Sequence, residues 1–225
     1  MATNFKWLMA AAIVVAAPAM AATPREMLIQ AAFQATDKAQ ALALVNQAIE
    51  QAEAGLRANP RDKEAFFQHA MGIGYRAKLT RKPADAKASR KMFEQFVAQY
   101  PRDPEAQIAI GGWHLDAIAD GFLATTVLGA KKDIGVASVD KATQLGGDRA
   151  FFKGFAAMMH IRLDPKNVGV ARTLAEQASR GSTLTPLDRI GKRDADALLI
   201  PLRSGDGKAA AQLARKLLPF GRLAD

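Results

Sequence analysis

Three histidines, His69, His114 and His160, are the side chains best suited to acid–base or metal chemistry near neutral pH. No two of them stand three or four residues apart, so no helix presents a ligand pair, and no HExxH-type pattern occurs. Asp116 lies two residues beyond His114, which puts the two on different faces of a helix. Each histidine therefore reads as a helix residue with a satisfied ring nitrogen. The chain has no cysteine, which excludes disulfides, thiol catalysis and Cys-ligated zinc. No G-x-S-x-G elbow is present, and a helical chain lacks the strand-to-helix turn which that motif uses. A Ser-His-Asp set assembled in space would leave no such linear trace. Gly72 and Gly74, like Gly111 and Gly112, fall inside helical stretches and read as points of close packing rather than phosphate cradles. Together these patterns predict a non-enzymatic protein with no cofactor and no bound metal.

The least ordinary stretch is GGWHLDAIADGFLATTVLGAKK, Gly111 to Lys132. Its centre, Gly121 to Ala130, carries no charge and runs into Lys131 and Lys132. Leu123, Val127 and Leu128 roughly share a helical face. Such a segment can serve as the lid of an apolar pocket, as an element touching an anionic membrane, or as an arm packed on its neighbours. Packing into the core is the expectation, because the run lacks the charged face of an interfacial helix and exposed apolar runs invite aggregation.

At the start, Lys6 followed by the apolar run Leu8 to Ala17, Pro18 and Ala19-Met20-Ala21 has the layout of a secretory signal peptide. The expectation is a cleaved segment 1–21, a mature chain from Ala22, and one domain over 22–225. The alternative is an uncleaved anchor, but the uncharged run Trp7 to Ala22 has sixteen residues, short of the ~18–20 that span a bilayer. No stable membrane anchor is expected. Export, zero cysteines and a net charge of +9 suit the periplasm of a Gram-negative bacterium, with secretion outside the cell as the alternative. Nucleic acid is a poor partner for an exported chain. The Lys and Arg residues are spread rather than blocked, which reads as a solvated surface.

The elements that would position any site are helices. Aromatic residues make up 7% of the chain and alternating β-branched runs are missing, so strand signals are absent. Punctuation places helices from Arg25 to about Thr36, then to Ala58, over Lys63–Lys78, from Asp85 to Tyr100, and from Pro104 to at least Asp120. Further ones follow over Ile134–Leu145, Arg149–Leu163, Asn167–Ser179, Pro186–Ile200 and Gly207–Leu218, with Gly121–Asp133 ambiguous.

Two stretches repeat one message. FEQFVAQYPRDPEAQIAIGGWHLDAI and AIEQAEAGLRANPRDKEAFFQHAMGIG each run helix, P-R-D turn, helix. The unit Ser89, Phe93, Val97, Pro101, Ala106, Ile110, Gly111 resembles the tetratricopeptide repeat, a helix–turn–helix of about 34 residues. Ala48, Ala52, Leu56, Pro60, Ala65 and Ala70 repeat the spacing, as do Gly135, Val139, Ala142, Gly147 and then Ala171, Ala175, Ala178. The array is irregular: Pro60 to Pro101 is 41 residues, and Asp120 to Asp133 is an excess. The resemblance implies an all-α, TPR-like α-solenoid of about five antiparallel helix pairs. By the same resemblance Phe67, Met71, Ile108, Leu115 and Met158 fall near a concave binding face. It further implies protein–protein interaction with a partner of the cell envelope. The alternative is a carrier or transporter accessory that holds an apolar small ligand, with residues 121–130, Leu123, Val127, Leu128, Lys131 and Lys132 among them, as lid or contact.

Overall fold

A computed structural model describes residues 21–223, apart from the side chains of residues 122–124; the segment 1–21 expected to be a signal peptide falls outside the described residues but for Ala21. Eleven α-helices occur among the described residues, and the only β pairing there is an isolated bridge between Arg149 and Ser182. They are α1 (Pro24–Phe33), α2 (Lys38–Ala58), α3 (Lys63–Thr80), α4 (Pro83–Gln99), α5 (Pro104–Ala119), α6 (Phe122–Leu128), α7 (Lys132–Leu145), α8 (Ala150–Leu163), α9 (Val168–Ser179), α10 (Pro186–Arg203) and α11 (Gly207–Leu217).

The starts follow from capping chemistry. Thr23 and Thr185 close capping boxes with Glu26 and Asp188, and Asp37, Asp62, Asp103 and Asp206 accept hydrogen bonds from the first turns of their helices. Two expected boundaries are corrected. Helix α4 starts at Pro83 rather than Asp85, since proline suits a first turn; Asp85 instead pairs with Arg76, its Oδ2 2.8 Å from Nε. Helix α10 runs through Pro201 to Arg203. There the proline forfeits a hydrogen bond only near the helix end, and fully buried Leu198 and Leu202 hold the extra turn against the core.

The ambiguous stretch becomes the seven-residue α6. It is entered at Gly121 (φ 112°) and left at Gly129 (φ 68°), positive-φ conformations that glycine adopts at no steric cost.

The helices pack in two registers. Each touches the next, with α7 taking the place of α6 beside α5; in addition α1 meets α3, α3 meets α5, α5 meets α8, and α8 meets α10. Small residues set the close contacts. Ser89, Ala48, Ala52, Ala70, Ala106, Ala142, Ala171, Ala175 and Ala178 are all buried. A Cβ on Gly111 would lie 2.9 Å from the Val139 nitrogen, and one on Gly135 2.4 Å from Leu115 Cδ2, so α5 and α7 meet nearly backbone to backbone. Gly72 and Gly112 likewise face Ile49 and Phe155 at distances no side chain could share.

The far end of the chain returns to its beginning. The Phe220 N–H donates to the Ala32 carbonyl at 2.9 Å, and its ring meets Tyr75 edge-on at 4.9 Å in a core shared with Leu28, Val45 and Ile49. Among the described residues, no helix is long and apolar enough to cross a membrane.

Candidate functional site

The helices that meet in the second register, α1, α3, α5 and α8, surround a cavity of about 460 Å³. Each presents one stripe to it. In α8 the stripe is Phe151, Phe155 and Met159, spaced by four; in α5 it is Ile108, Gly112 and Asp116, flanked by Ala109 and Trp113. Phe67, Met71, Tyr75 and Lys78 come from α3, and Leu28 and Phe33 from α1. Leu218 and Pro219 from the returning end, and Val127 and Leu128 from α6, complete the wall.

Several polar groups of the wall are taken up by neighbouring groups. Trp113 Nε1 donates to the Ala86 carbonyl at 3.1 Å, which fixes the indole. Arg90 stacks over that indole, 5.5 Å from its centre, and donates to the Leu128 carbonyl at 2.6 Å, so one guanidinium ties α4, α5 and α6 together. The Tyr75 phenol is driven upward in pKa by burial and by the Asp116 carboxylate, so it stays protonated.

Ion pairs link the helix ends on both sides of the cavity. At one side Arg25 reaches Glu64 and Glu105, each at 2.7 Å, and Arg149 binds Asp188 at 3.1 Å. Glu64, Glu105 and Asp188 lie in the first turns of their helices, where the helix dipole favours a carboxylate. At the other side Lys78 meets Asp116 at 2.8 Å, Arg162 bridges Asp116 and Asp120, and Arg81 meets Asp120 at 3.1 Å. Burial alone would raise the Asp116 carboxyl; the Lys78 ammonium and the Arg162 guanidinium overcome it and hold it down at about 2.

The three histidines occupy ordinary helix positions with satisfied rings. His114 Nδ1 accepts from the Lys131 N–H at 3.2 Å, His160 Nε2 lies 3.2 Å from Asp140, and His69 Nε2 lies 3.3 Å from Glu53. Burial, with the nearby Arg90 charge, pushes His114 down to about 4, which leaves it neutral. Among the described residues no cluster of three or more His, Asp or Glu side chains could hold a metal ion.

Of the residues expected on a concave face, Phe67, Met71 and Ile108 line the cavity together. Leu115 and Met158 do not, and this corrects their placement. Leu115 packs against Gly135 of α7, and Met158 lies in the core that α8 builds with α9, α10 and α11. One residue turns a helix by about 100°, so their neighbours Asp116 and Met159 face the space instead. The expected core placement of residues 121–130 is corrected as well. Helix α6 makes its main contacts with α5 and α4, Val127 is 50% exposed, and Val127 and Leu128 border the cavity. The Leu123 side chain lies outside the described residues. Lys131 and Lys132 are exposed and stand apart from the cavity.

Sequence reasoning assigns no site role to Trp113, Phe155, Met159, Lys78, Arg81 or Asp116, all of which line the cavity. The four-residue spacing of Phe151, Phe155 and Met159 was the available signal. The chain matches no family model, no curated protein and no solved structure.

Proposed function

We propose that the chain is an exported, non-enzymatic helical-repeat protein that holds an apolar small molecule in its central cavity. The observation that carries this reading is the cavity itself: about 460 Å³, walled by aromatic and aliphatic side chains from several helices and the returning end. That volume is in the range of sites for single small ligands, roughly 300–1,000 Å³. The packing of α1, α3, α5, α8 and α10 in series, with α2, α4, α7 and α9 outside them, supports a tetratricopeptide-like array of about five pairs into which α6 is inserted, although α11 packs on α8 as well as on α10. Helix α6 is then the lid, and its few contacts allow it to open. Periplasmic residence follows from the sequence layout of residues 1–21.

An envelope protein docking on the concave face is the second reading. It is favoured by Phe67, Met71 and Ile108 lining one surface of a partly open space; a partner's side chains would then fill the same cavity. The neutral dye N-phenylnaphthylamine separates the two. It should bind saturably, one per chain, with a rise in fluorescence. Ala109→Phe, which places a ring in the cavity from a half-buried wall position, should abolish that rise while leaving the fold intact. A dye that fails to bind, or binds the variant equally, removes the small-molecule reading.

A further inference from the structure

The two sides of the cavity differ in charge. Where α3 ends, Lys78, Arg81, Lys82 and Arg162 stand against Asp116 and Asp120, four cations to two carboxylates. Where α3 begins, Arg25 and Arg149 stand against Glu64, Glu105 and Asp188, and Lys63 is neutralised by Asp103. The first side is therefore net positive and the second net negative.

The cations on the positive side are not equally committed. Lys78 and Arg162 are both held on Asp116, with side chains 26% and 12% exposed. Arg81 is 71% exposed and gives one N–H to Asp120, which leaves donors of its fork free. Lys82 is exposed and makes no ion pair among the described residues. Both line the cavity. Arg81 also sits in the left-handed region, φ 59°, as the cap of α3. That conformation costs an arginine about 1 kcal/mol or more, yet it turns the chain so that two adjacent cations stand at the mouth. Helix α6 begins two residues after Asp120 and packs on α4, whose first residue follows Lys82. The lid and the cations thus share one end.

We propose that the cavity takes a single-chain alkyl carboxylate, its tail between Phe67, Met71, Trp113, Phe155 and Met159 and its acid group on Arg81 and Lys82. The inference rests on the small-molecule reading above and adds the ligand's charge and orientation. A carboxylate is the complement of an arginine fork with free donors beside a lysine. At the opposite side the same group would meet an excess of carboxylates, so the orientation is set. The acid group remains near water while the tail is covered by Val127 and Leu128, an arrangement that leaves no charge buried.

Displacement of bound N-phenylnaphthylamine by dodecanoate and by dodecanol tests the charge requirement. In the parent protein dodecanoate should displace the dye at a roughly tenfold lower concentration than dodecanol, the effect of one charge-assisted contact. In Arg81→Asn combined with Lys82→Gln that preference should vanish while dodecanol displaces as before. Asparagine tolerates the left-handed backbone, so the double variant keeps the α3 cap. Equal displacement by the two compounds in the parent, or a preference that survives in the double variant, overturns the proposal and leaves the cavity reading standing. Co-flotation of the parent with phosphatidylglycerol vesicles, lost in the double variant, would assign the two cations to a lipid surface and overturn it too. Failure of the dye itself to bind removes the reading beneath.

Discussion

Asp116 is the carboxylate on which the positive side of the cavity is built, and Asp116→Asn isolates its contribution. Its side chain is 24% exposed and meets both Lys78 and Arg162. In the folded protein its pKa drops from the ordinary 3.8 to about 2. At about 1.4 kcal/mol per pH unit, that fall corresponds to about 2 kcal/mol of stability. The sign follows from the depressed value: the contribution is complete well above 3.8 and is lost as the pH falls through 3.8 towards 2. Linkage leaves about half of it at pH 3. Asparagine keeps the shape and removes the charge, so the variant should be less stable than the parent by about 2 kcal/mol at pH 7. The cost does not reach the several kcal/mol of a wholly orphaned buried ion, because Arg162 retains Asp120. Urea melts of both proteins at pH 7 and pH 3 provide the measurement. The gap between them should shrink by about half at the lower pH, while the other carboxylates titrate alike in both and cancel. A gap below about 0.5 kcal/mol at pH 7, the usual range of surface changes, or one that does not change with pH, would refute the argument.

Gly111→Leu should destabilise by about 1–3 kcal/mol or more, since a Cβ there already lies 2.9 Å from the Val139 nitrogen; an unchanged melting temperature would mean that α5 and α7 do not touch at this point. Leu128→Ala should cost about 1 kcal/mol rather than the ~2–5 of a fully buried leucine, because Leu128 is only half-buried at the cavity edge. Denaturant melts check this, and dye affinity should fall in the same variant. His114, held down at about 4 by burial and by Arg90, binds its proton less readily folded than unfolded, so stability should decline as the pH drops from about 6.5 to about 4. His114→Asn keeps an acceptor for the Lys131 N–H and should flatten that decline; a slope identical to the parent's would remove His114 as its source.

The helical framework was legible because its punctuation is local. Thr23-Pro24, Asp103-Pro104 and Thr185-Pro186 announce starts that depend only on the adjacent backbone. Gly111 and Ser89 were legible as contacts because only a small residue permits them, and both are buried. The cavity was less so. Ile108 and Leu115, seven residues apart, lie nearly on one helical line and are both buried, yet Leu115 packs on Gly135 of α7 while Ile108 borders the cavity. That distinction rests on where a helix distant in sequence lands, which no local spacing encodes. Charge pairing was hidden for the same reason: Lys78 finds Asp116 across 38 residues, and Arg162 finds it across 46.

The return of Phe220 to Ala32 and Tyr75 bears on how the molecule comes apart. A linear stack of helix pairs, each leaning only on its neighbours, frays from whichever end is weaker, and its middle outlasts its tips. Here the first and last segments are each other's neighbours, and the loss of one strips the other. Amide hydrogens of α1 should then exchange with those of α5 and α8 in one concerted opening, with no graded melting along the chain.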